Sequence, residues 1–309
     1  MVPGKRWMAT ARPNAGGWAL DIAPVGPVDT LLDRLQALGA PLALGVDFPI
    51  GLPRAYAARH LAGAGSFPAF LRTVQDRPAF LDVCGTLAEI GPDRPFYPRR
   101  GLRGMTRLSH ALALGLDDTA GLSRACDRAT ADRPAGAPLF WTLGANQTGK
   151  AAISAWRDLL APALARPDPP ALWPFEGAML PLLQANRTVI AETYPAEALR
   201  QLGLRMNGSK RRRADRLALA PALRDVMAGL DAVPTPPLDR LIADGFGVDA
   251  AGEDRFDCVL GVLCVLLVLT GRRPDSAPPD PWITQWEGWV LGQTPPPASL
   301  QLSSASARA

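Results

Sequence analysis

The fold class is decided by one stretch of the sequence, Pro41-Leu42-Ala43-Leu44-Gly45-Val46-Asp47-Phe48-Pro49-Ile50-Gly51-Leu52-Pro53. A continuous apolar run leads into a single acid, and proline and glycine follow at once. Such a run is typical of a strand that is buried on both faces and ends in a loop. The stretch Thr188-Val189-Ile190-Ala191-Glu192-Thr193-Tyr194-Pro195 repeats this pattern. Strands of this kind are usually parallel and central in a sheet, so the two stretches predict an α/β protein.

The segments around these strands predict how the chain is organised. Residues 6–11 and 17–23 have the pattern of two short strands joined by a turn, and Asp29–Leu38 has the apolar spacing of a helix. Residues 54–185 carry helical patches, many prolines and no repeat, which indicates a mostly helical insertion or cap. We therefore expect residues 1–53 to form the first part of an α/β core, 54–185 the insertion, 186–292 the second part of the core, and 293–309 a disordered tail.

Composition excludes several classes of protein. The longest apolar run, Cys258–Leu269, is shorter than the roughly 18 residues that a transmembrane helix needs, and no apolar stretch follows the basic residues at the N-terminus. We therefore expect a cytoplasmic protein with no membrane partner and no signal peptide. The 4 cysteines form no CxxC pair and are predicted to be free thiols, and the 2 histidines lie outside any catalytic or metal-binding pattern. A formal net charge of +4 permits contact with nucleic acid without requiring it.

Four carboxylates have the positions that a divalent metal site requires. Asp47 and Glu192 each end a buried strand, and parallel pairing would bring both to the edge of the sheet where α/β proteins bind ligands. Asp254 and Asp257 are three residues apart and share one face at the start of a helix. Each acid alone has a simpler interpretation as a turn or capping residue. As a set they predict a site for Mg²⁺ or Mn²⁺, which prefer oxygen ligands and can activate water and hold a phosphodiester.

The same blocks carry a resemblance to a known family. They are, in chain order, Gly16-Gly17-Trp18, Gly45–Pro53, Glu192-Thr193-Tyr194-Pro195, Asp254-Arg255-Phe256-Asp257 and Glu287-Gly288-Trp289. In this order the blocks resemble the domain of unknown function 429 family, whose members are regarded as ribonuclease H-like nucleases. The resemblance implies a ribonuclease H-like mixed sheet flanked by helices. It also implies Asp47, Glu192 and Asp257 as catalytic metal ligands, with Asp254 assisting and Mg²⁺ or Mn²⁺ as cofactor.

The sequence departs from this family at the first strand. The resemblance implies an aspartate near the end of that strand, which in the ribonuclease H fold contacts both metal ions. Here the strand contains no acid, and Arg12 stands near its end. Asp21 on the next strand is a candidate replacement whose direction the alternation along a strand does not fix. Loss of this acid puts the two-metal mechanism in doubt. Two hypotheses follow: a metal-dependent nuclease that works with a single metal ion, and a non-catalytic module of the same fold that binds nucleic acid or protein.

A third hypothesis arises from Gly144-Ala145-Asn146-Gln147-Thr148-Gly149-Lys150, which fits seven positions of a phosphate-binding loop. Phe140–Leu143 before it has the composition of a strand, and a helical stretch follows. The eighth position is Ala151 rather than the serine or threonine that would hold Mg²⁺. The loop therefore suggests an anion or nucleotide-phosphate site around Lys150, and a plain helix N-terminus is the simpler interpretation.

Two basic stretches are candidate contacts for a phosphate backbone. The first contains Arg99, Arg100 and Arg103, and the second is Lys210-Arg211-Arg212-Arg213, which opens a predicted helix that runs to about Gly229. Each would neutralise several phosphates and make binding depend on salt, although a solvated loop is the more usual role of such residues. Trp282, Trp286 and Trp289 have helical spacing and would either stack bases or close a core.

Overall fold

Residues 6–101, 104–130, 133–144 and 148–296 are described by a computed structural model of the chain. The strands are β1 (Trp7–Asn14), β2 (Gly17–Pro24), β3 (Leu42–Val46), β4 (Ala171–Leu172), β5 (Thr188–Glu192) and β6 (Ala232–Pro234). The α-helices are α1 (Leu31–Gln36), α2 (Arg54–His60), α3 (Phe67–Arg72), α4 (Arg107–Ala113), α5 (Thr148–Ala155), α6 (Ala161–Leu164), α7 (Met179–Gln184), α8 (Pro195–Gln201), α9 (Arg213–Ala218), α10 (Ala220–Gly229), α11 (Pro236–Ala243) and α12 (Gly252–Leu269). Five-residue π-helical turns span Trp156–Leu160 and Ile283–Glu287, and short 3-10 helices fill several other connections.

The chain forms two compact units. Unit 1 contains the residues up to Asp47 together with Leu180–Asp275, and unit 2 contains Phe48–Met179 together with the residues from Ser276 onward. The insertion was predicted as 54–185, close to the first segment of unit 2. The C-terminal boundary differs, because the sequence assigned all of 186–292 to the core. The reason is a long-range contact: Leu52 N donates to Trp286 O at 2.7 Å, so the C-terminal segment is held by the first residues of unit 2.

Unit 1 has the predicted α/β architecture, but its strands form two small sheets rather than one. β1 and β2 are an antiparallel hairpin with Asn14 opposite Gly17, and β6 is parallel to β2. β3 and β5 pair in parallel, with Val46 opposite Glu192. Parallel and antiparallel pairs are thus both present, as in a mixed sheet, while the described residues divide them between two separate ladders.

Helix α12 is the longest helix of unit 1 and forms its core. It packs against β1, β3 and α8. A helix that is covered by protein on several sides is apolar nearly all round, and this explains the run that the sequence shows at Cys258–Leu269. The buried cluster joins side chains of α12 to those of β2, α10 and α11, among them Phe256, Val259, Leu260, Leu263, Leu20, Leu223 and Ile242.

Gly45 allows α12 to lie close to β3. A Cβ atom at this position would meet Cγ2 of Thr193 and Cγ2 of Val265, each at 2.9 Å, which is too close for carbon atoms. Gly261 on α12 has more room, since a Cβ atom there would lie 3.4 Å from Oγ1 of Thr193. The close approach at Gly45 fixes the position of α12 relative to the end of β3.

Gly45→Ala is therefore expected to destabilise unit 1 by about 1–3 kcal/mol, because the new methyl group overpacks two β-branched side chains with few alternative rotamers. Gly261→Ala is the matched control. It makes the same chemical change beside the same threonine, in a helix interior where alanine is favoured over glycine by about 1 kcal/mol. Urea denaturation compares the two variants. Equal effects would show that the approach of α12 does not require glycine at position 45.

The regular secondary structure of unit 2 is mostly short helices, and the unit contains a crossing of two backbone segments. Gly51 and Gly288 have φ angles of +144° and +63°. A Cβ atom on Gly51 would collide with the carbonyl oxygen of Glu287, and one on Gly288 would collide with that of Ile50. Trp156 Nε1 donates to Pro49 O at 2.8 Å and holds the first segment in place. Only glycine satisfies both the backbone angles and the space at these two positions.

The C-terminal segment of unit 2 is ordered further than the sequence predicted. Trp286 and Trp289 are buried, which supports the interpretation of their spacing as a core, and the Arg54 guanidinium lies 5.0 Å from the centre of the Trp282 ring. Gln293, predicted to begin a disordered tail, is 2% exposed and its Nε2 donates to Cys126 O at 3.0 Å. The prediction was wrong at this residue because its partner lies far away in sequence. Residues 297–309 lie outside the described residues.

Three expectations from composition can be compared with the structure. None of the helices in the described part of the chain is long and apolar enough to cross a membrane. The cysteines are free, and Cys84, Cys126 and Cys264 are buried. The two histidines bind backbone carbonyls: His60 Nε2 lies 2.8 Å from Leu114 O, and His110 Nε2 lies 2.7 Å from Pro95 O.

Candidate functional site

The carboxyl ends of β3 and β5 lie side by side. Val46 is opposite Glu192, and Thr193 N donates to Val46 O at 2.8 Å. Asp47 follows Val46 directly, so both acids lie at the same edge of this sheet. Glu192 is 5% exposed, whereas Asp47 reaches solvent. The parallel pairing that the sequence implied therefore accounts for the meeting of the two acids.

The start of α12 brings two more acids to this edge. The helix begins at Gly252, and Asp254 and Asp257 lie in its first two turns. The charges of Asp257, Glu192 and Asp254 all act on Asp47. Three elements that are distant in the chain thus gather the four carboxylates that the sequence selected.

Asp47 has an unusual acidity. Its pKa is raised to about 7, first by desolvation and then by the negative charge of Asp257, with Glu192 and Asp254 adding to the effect and Lys210 opposing it. The side chain touches water, yet the protein around it is dense enough to disfavour the charged form. In the metal-free protein Asp47 therefore exchanges its proton near neutral pH.

Asp257 is paired with a lysine that the sequence had assigned to phosphate binding. Lys210 Nζ lies 2.5 Å from Asp257 Oδ2 and 3.5 Å from Glu253 Oε1. Desolvation raises the pKa of Asp257 to about 6, although Lys210 lowers it. Desolvation lowers the pKa of Lys210, but the charges of Asp257 and Asp47 outweigh it, so the net shift is upward. The ammonium group is therefore directed into the acidic cluster.

The other oxygen of Asp257 has no partner. Oδ1 is buried, and no hydrogen-bond donor among the described residues reaches it. A buried carboxylate oxygen without a partner is costly and rare in folded proteins. This atom marks a place where a cation, a proton or an ordered water would be stabilised.

Arg216, which the sequence analysis missed, fixes the backbone at Lys210. Its guanidinium is 2% exposed and donates to three carbonyl oxygens: Lys210 O at 2.6 Å, Gly245 O at 2.9 Å and Gly247 O at 2.8 Å. A Cβ atom on Gly252 would collide with this guanidinium, so the start of α12 also depends on it. Nothing local distinguishes Arg216 from the arginines around it, because its acceptors belong to distant loops.

Cys258 lies beside the acids but is not available as a thiolate. Desolvation, followed by the charges of Asp257, Asp47 and Asp254, raises the pKa of this thiol to about 12. Its Sγ donates to Trp7 O at 3.0 Å, which brings β1 next to the start of α12. A neutral thiol is neither a strong nucleophile nor a metal ligand.

β1 brings no carboxylate to the cluster. Arg12 is exposed near the end of this strand. Asp21 on β2 accepts a hydrogen bond from Thr235 Oγ1 at 2.8 Å. Replacement of the missing acid by Asp21 stays a prediction.

The remaining basic residues of the second stretch form ion pairs within the protein. Arg211 Nε lies 3.6 Å from Glu253 Oε2, Arg212 Nε lies 2.6 Å from Asp215 Oδ2, and Arg213 pairs with Asp244. The helix predicted to open here begins at Arg213 rather than Lys210. The three arginine side chains are 65%, 67% and 42% exposed, so contact of this stretch with phosphate stays a prediction.

The first basic stretch and the glycine-rich loop both belong to unit 2. Arg99 donates to Val83 O from Nε at 3.0 Å and from Nη2 at 2.8 Å, and Arg100 is exposed. Arg103 lies outside the described residues.

Lys150 is exposed on α5, and Phe140–Leu143 is not a strand, so the strand–loop–helix context of a phosphate-binding loop is missing. Residues 145–147 of that loop also lie outside the described residues.

The four acids are gathered but do not converge on one point. Within the described ranges, no three histidine, cysteine, aspartate or glutamate side chains are close enough together to hold a metal ion as they stand. Comparison with known proteins adds no relative, because no family model, no curated protein and no solved structure matches the chain. A functional interpretation therefore depends on the chemistry of unit 1.

Proposed function

We propose that unit 1 is a metal-dependent phosphodiesterase of the ribonuclease H-like class that acts on nucleic acid. The observation that carries the proposal is the buried, unpartnered Oδ1 of Asp257 beside three further carboxylates. Three acids and one lysine are the charges that act most strongly on Asp47, and the excess of negative charge disfavours its ionised form. Groups whose pKa is raised by burial and like charges are concentrated at functional sites.

The donor set fits Mg²⁺ or Mn²⁺. All four side chains offer carboxylate oxygens, which these hard ions prefer over nitrogen and sulfur. Asp47, Glu192 and Asp257 would hold the ion and Asp254 would assist, after side-chain movements that bring their oxygens together. A bound ion would supply Lewis-acid activation of water and of a phosphate oxygen. The protein would supply the orientation of the carboxylates, through the parallel ends of β3 and β5 and the close approach of α12.

A calorimetric titration with Mn²⁺ tests this site. Wild type is expected to bind with an affinity that rises between about pH 5 and pH 8, because ligands with raised pKa must lose protons when a metal binds. Asp257→Asn is expected to weaken binding by at least the 10–100-fold that loss of a supporting residue costs. Asp21→Asn is the matched control and should leave the affinity unchanged. Absence of binding at millimolar Mn²⁺, both to wild type and to a variant that lacks the Lys210 ammonium, would overturn the proposed site.

A non-catalytic module of the same fold is the second candidate. It is favoured by β1, which brings no acid to the cluster, and by Lys210, which already neutralises Asp257. This candidate predicts that neither DNA nor RNA, single- or double-stranded, is cleaved in Mg²⁺ or Mn²⁺. Cleavage by wild type that is lost in Asp47→Asn would exclude it.

A further inference from the structure

We infer that Lys210 is a displaceable cation, which keeps the carboxylate site closed until a divalent metal ion replaces its ammonium group at Asp257. The inference rests on the proposed function, and it concerns how that site is regulated. A lysine ammonium on one oxygen of Asp257 repels a metal ion on the other oxygen of the same carboxylate, because both carry positive charge at short range.

The geometry places the ammonium on one oxygen of the carboxylate whose other oxygen is open to an ion. Lys210 Nζ is 2.5 Å from Asp257 Oδ2, a short charge-assisted hydrogen bond. Asp257 Oδ2 is thereby occupied, and Oδ1 alone is left without a partner. The failure of three acids to converge then has a simple cause, because a single positive charge draws Asp257 towards itself.

Glu253 offers the ammonium a second position. Its Oε1 is already 3.5 Å from Lys210 Nζ, and it lies four residues before Asp257 on the same face of α12. Arg216 holds the carbonyl of Lys210, so the ammonium can move from Asp257 to Glu253 by side-chain rotation without movement of the backbone. Displacement then breaks one strong ion pair and retains a weaker one.

Mn²⁺ calorimetry on two adjacent variants of the full chain tests the inference. Lys210→Met is expected to tighten Mn²⁺ binding by about tenfold, since the ion no longer has to break a charge-assisted hydrogen bond. Arg211→Met removes the same charge one residue away, from a side chain that is 65% exposed and 3.6 Å from Glu253. It is expected to change the affinity by less than about twofold, because exposed charges are strongly screened. Equal tightening in both variants, or none in Lys210→Met, overturns the inference.

A double-mutant cycle tests the role of Glu253. Glu253→Gln is expected to weaken Mn²⁺ binding in the wild-type background, where the displaced ammonium needs this carboxylate. It should have no effect in the Lys210→Met background, where no ammonium is displaced. Additive effects would mean that Glu253 acts on the ion by its own charge, and they would contradict the inference. Lys210→Gln, which keeps a hydrogen-bond donor without the charge, provides the same cycle if the methionine variant does not fold.

The outcomes separate this inference from the proposed function. Mn²⁺ binding to wild type with no gain in Lys210→Met overturns the displacement alone. No binding to wild type, Lys210→Met or Lys210→Gln at millimolar Mn²⁺ overturns the metal site and the displacement with it. Tighter binding in Lys210→Met and loss of the Glu253 effect in that background support both.

Discussion

Asp47→Asn is expected to reduce metal-dependent phosphodiester cleavage strongly and, in metal-free buffer at pH 8, to raise the melting temperature of the protein. The two effects have one cause. Asp47 follows β3 among acids that repel its charge, and a metal ion would relieve that repulsion. We expect cleavage to fall by about 10²–10³-fold, the loss typical of removing one charge-stabilising group from an active site.

The effect on stability follows from the direction of the pKa shift. The pKa of Asp47 is raised from its ordinary value to about 7 in the folded protein. Between about pH 4 and pH 7 the folded state therefore holds a proton that the unfolded state has released, and stability falls as pH rises through this window. Asparagine has no proton to lose, so the variant keeps its stability at pH 8 and resembles wild type at pH 4. Because Asp47 reaches solvent, which screens its interactions, we expect a rise on the order of 2–4 °C.

Thermal melts of wild type and Asp47→Asn at pH 4 and pH 8, in EDTA and in Mn²⁺, measure this effect. Mn²⁺ should raise the melting temperature of wild type at pH 8 and have a much smaller effect on the variant, because a ligand stabilises the state that binds it. A variant that melts below wild type at pH 8 in EDTA would contradict the repulsion among the acids. It would indicate that Asp47 stabilises the fold as an ordinary turn residue.

The elements that the sequence predicted well are those with a local cause. The apolar runs before Asp47 and Glu192 are strands because a buried strand needs nothing beyond apolar side chains and a break at its end. The acids Asp254 and Asp257 lie at the start of α12, and the apolar run that follows them is long enough to predict a helix. The meeting of the acids followed from one further step, the parallel pairing of β3 with β5. The ribonuclease H-like core, inferred from the order of the blocks, stays a prediction.

The features that the sequence did not predict depend on partners far away in the chain. Lys210 was expected at the surface because three arginines follow it, and only the position of α12 shows that its ammonium reaches Asp257. The helix expected over residues 210–229 is broken at Leu219 into α9 and α10, with Pro221 in the first turn of α10. The spacing of residues along the sequence does not reveal which distant segments are close in the fold. The role of Lys210 could therefore be recognised only once the fold was known.

Glu287→Ala is expected to destabilise unit 2 by about 2–6 kcal/mol, since two backbone N–H groups in part-buried hydrogen bonds would lose their acceptor at about 1–3 kcal/mol each. Glu287 is 3% exposed. Its Oε1 accepts hydrogen bonds from Arg54 N at 3.1 Å and from Ala125 N at 3.2 Å. These donors belong to the first residues of α2 and of a 3-10 helix, so one carboxylate caps two helix N-termini.

Glu287→Gln is the matched control because its side-chain carbonyl keeps an acceptor at the same place. Desolvation raises the pKa of Glu287. This effect outweighs the hydrogen bond from Arg54 N and the charge of Arg128, both of which lower the pKa. Folding therefore favours the protonated form of Glu287, and the free energy of unfolding falls as pH rises from the ordinary pKa of a glutamate to the raised pKa in the folded protein. Glutamine has no proton to lose, so at pH 8 the glutamine variant should be at least as stable as wild type. Urea denaturation followed by tryptophan fluorescence reports mainly on unit 2, which contains Trp141, Trp156, Trp173, Trp282, Trp286 and Trp289 of the 8 tryptophans.

The contrast between Glu287 and Asp47 separates two roles that look alike in the sequence. Both acids belong to the blocks that carry the family resemblance, and burial raises the pKa of both. Glu287 has backbone donors for its carboxylate, so its removal costs stability, and Glu287→Gln should leave Mn²⁺ affinity unchanged. Asp47 is surrounded by like charges, so its removal should raise stability and, under the proposed function, should lower activity. If Glu287→Gln weakened Mn²⁺ binding as strongly as Asp47→Asn, a helix-capping role could not account for Glu287.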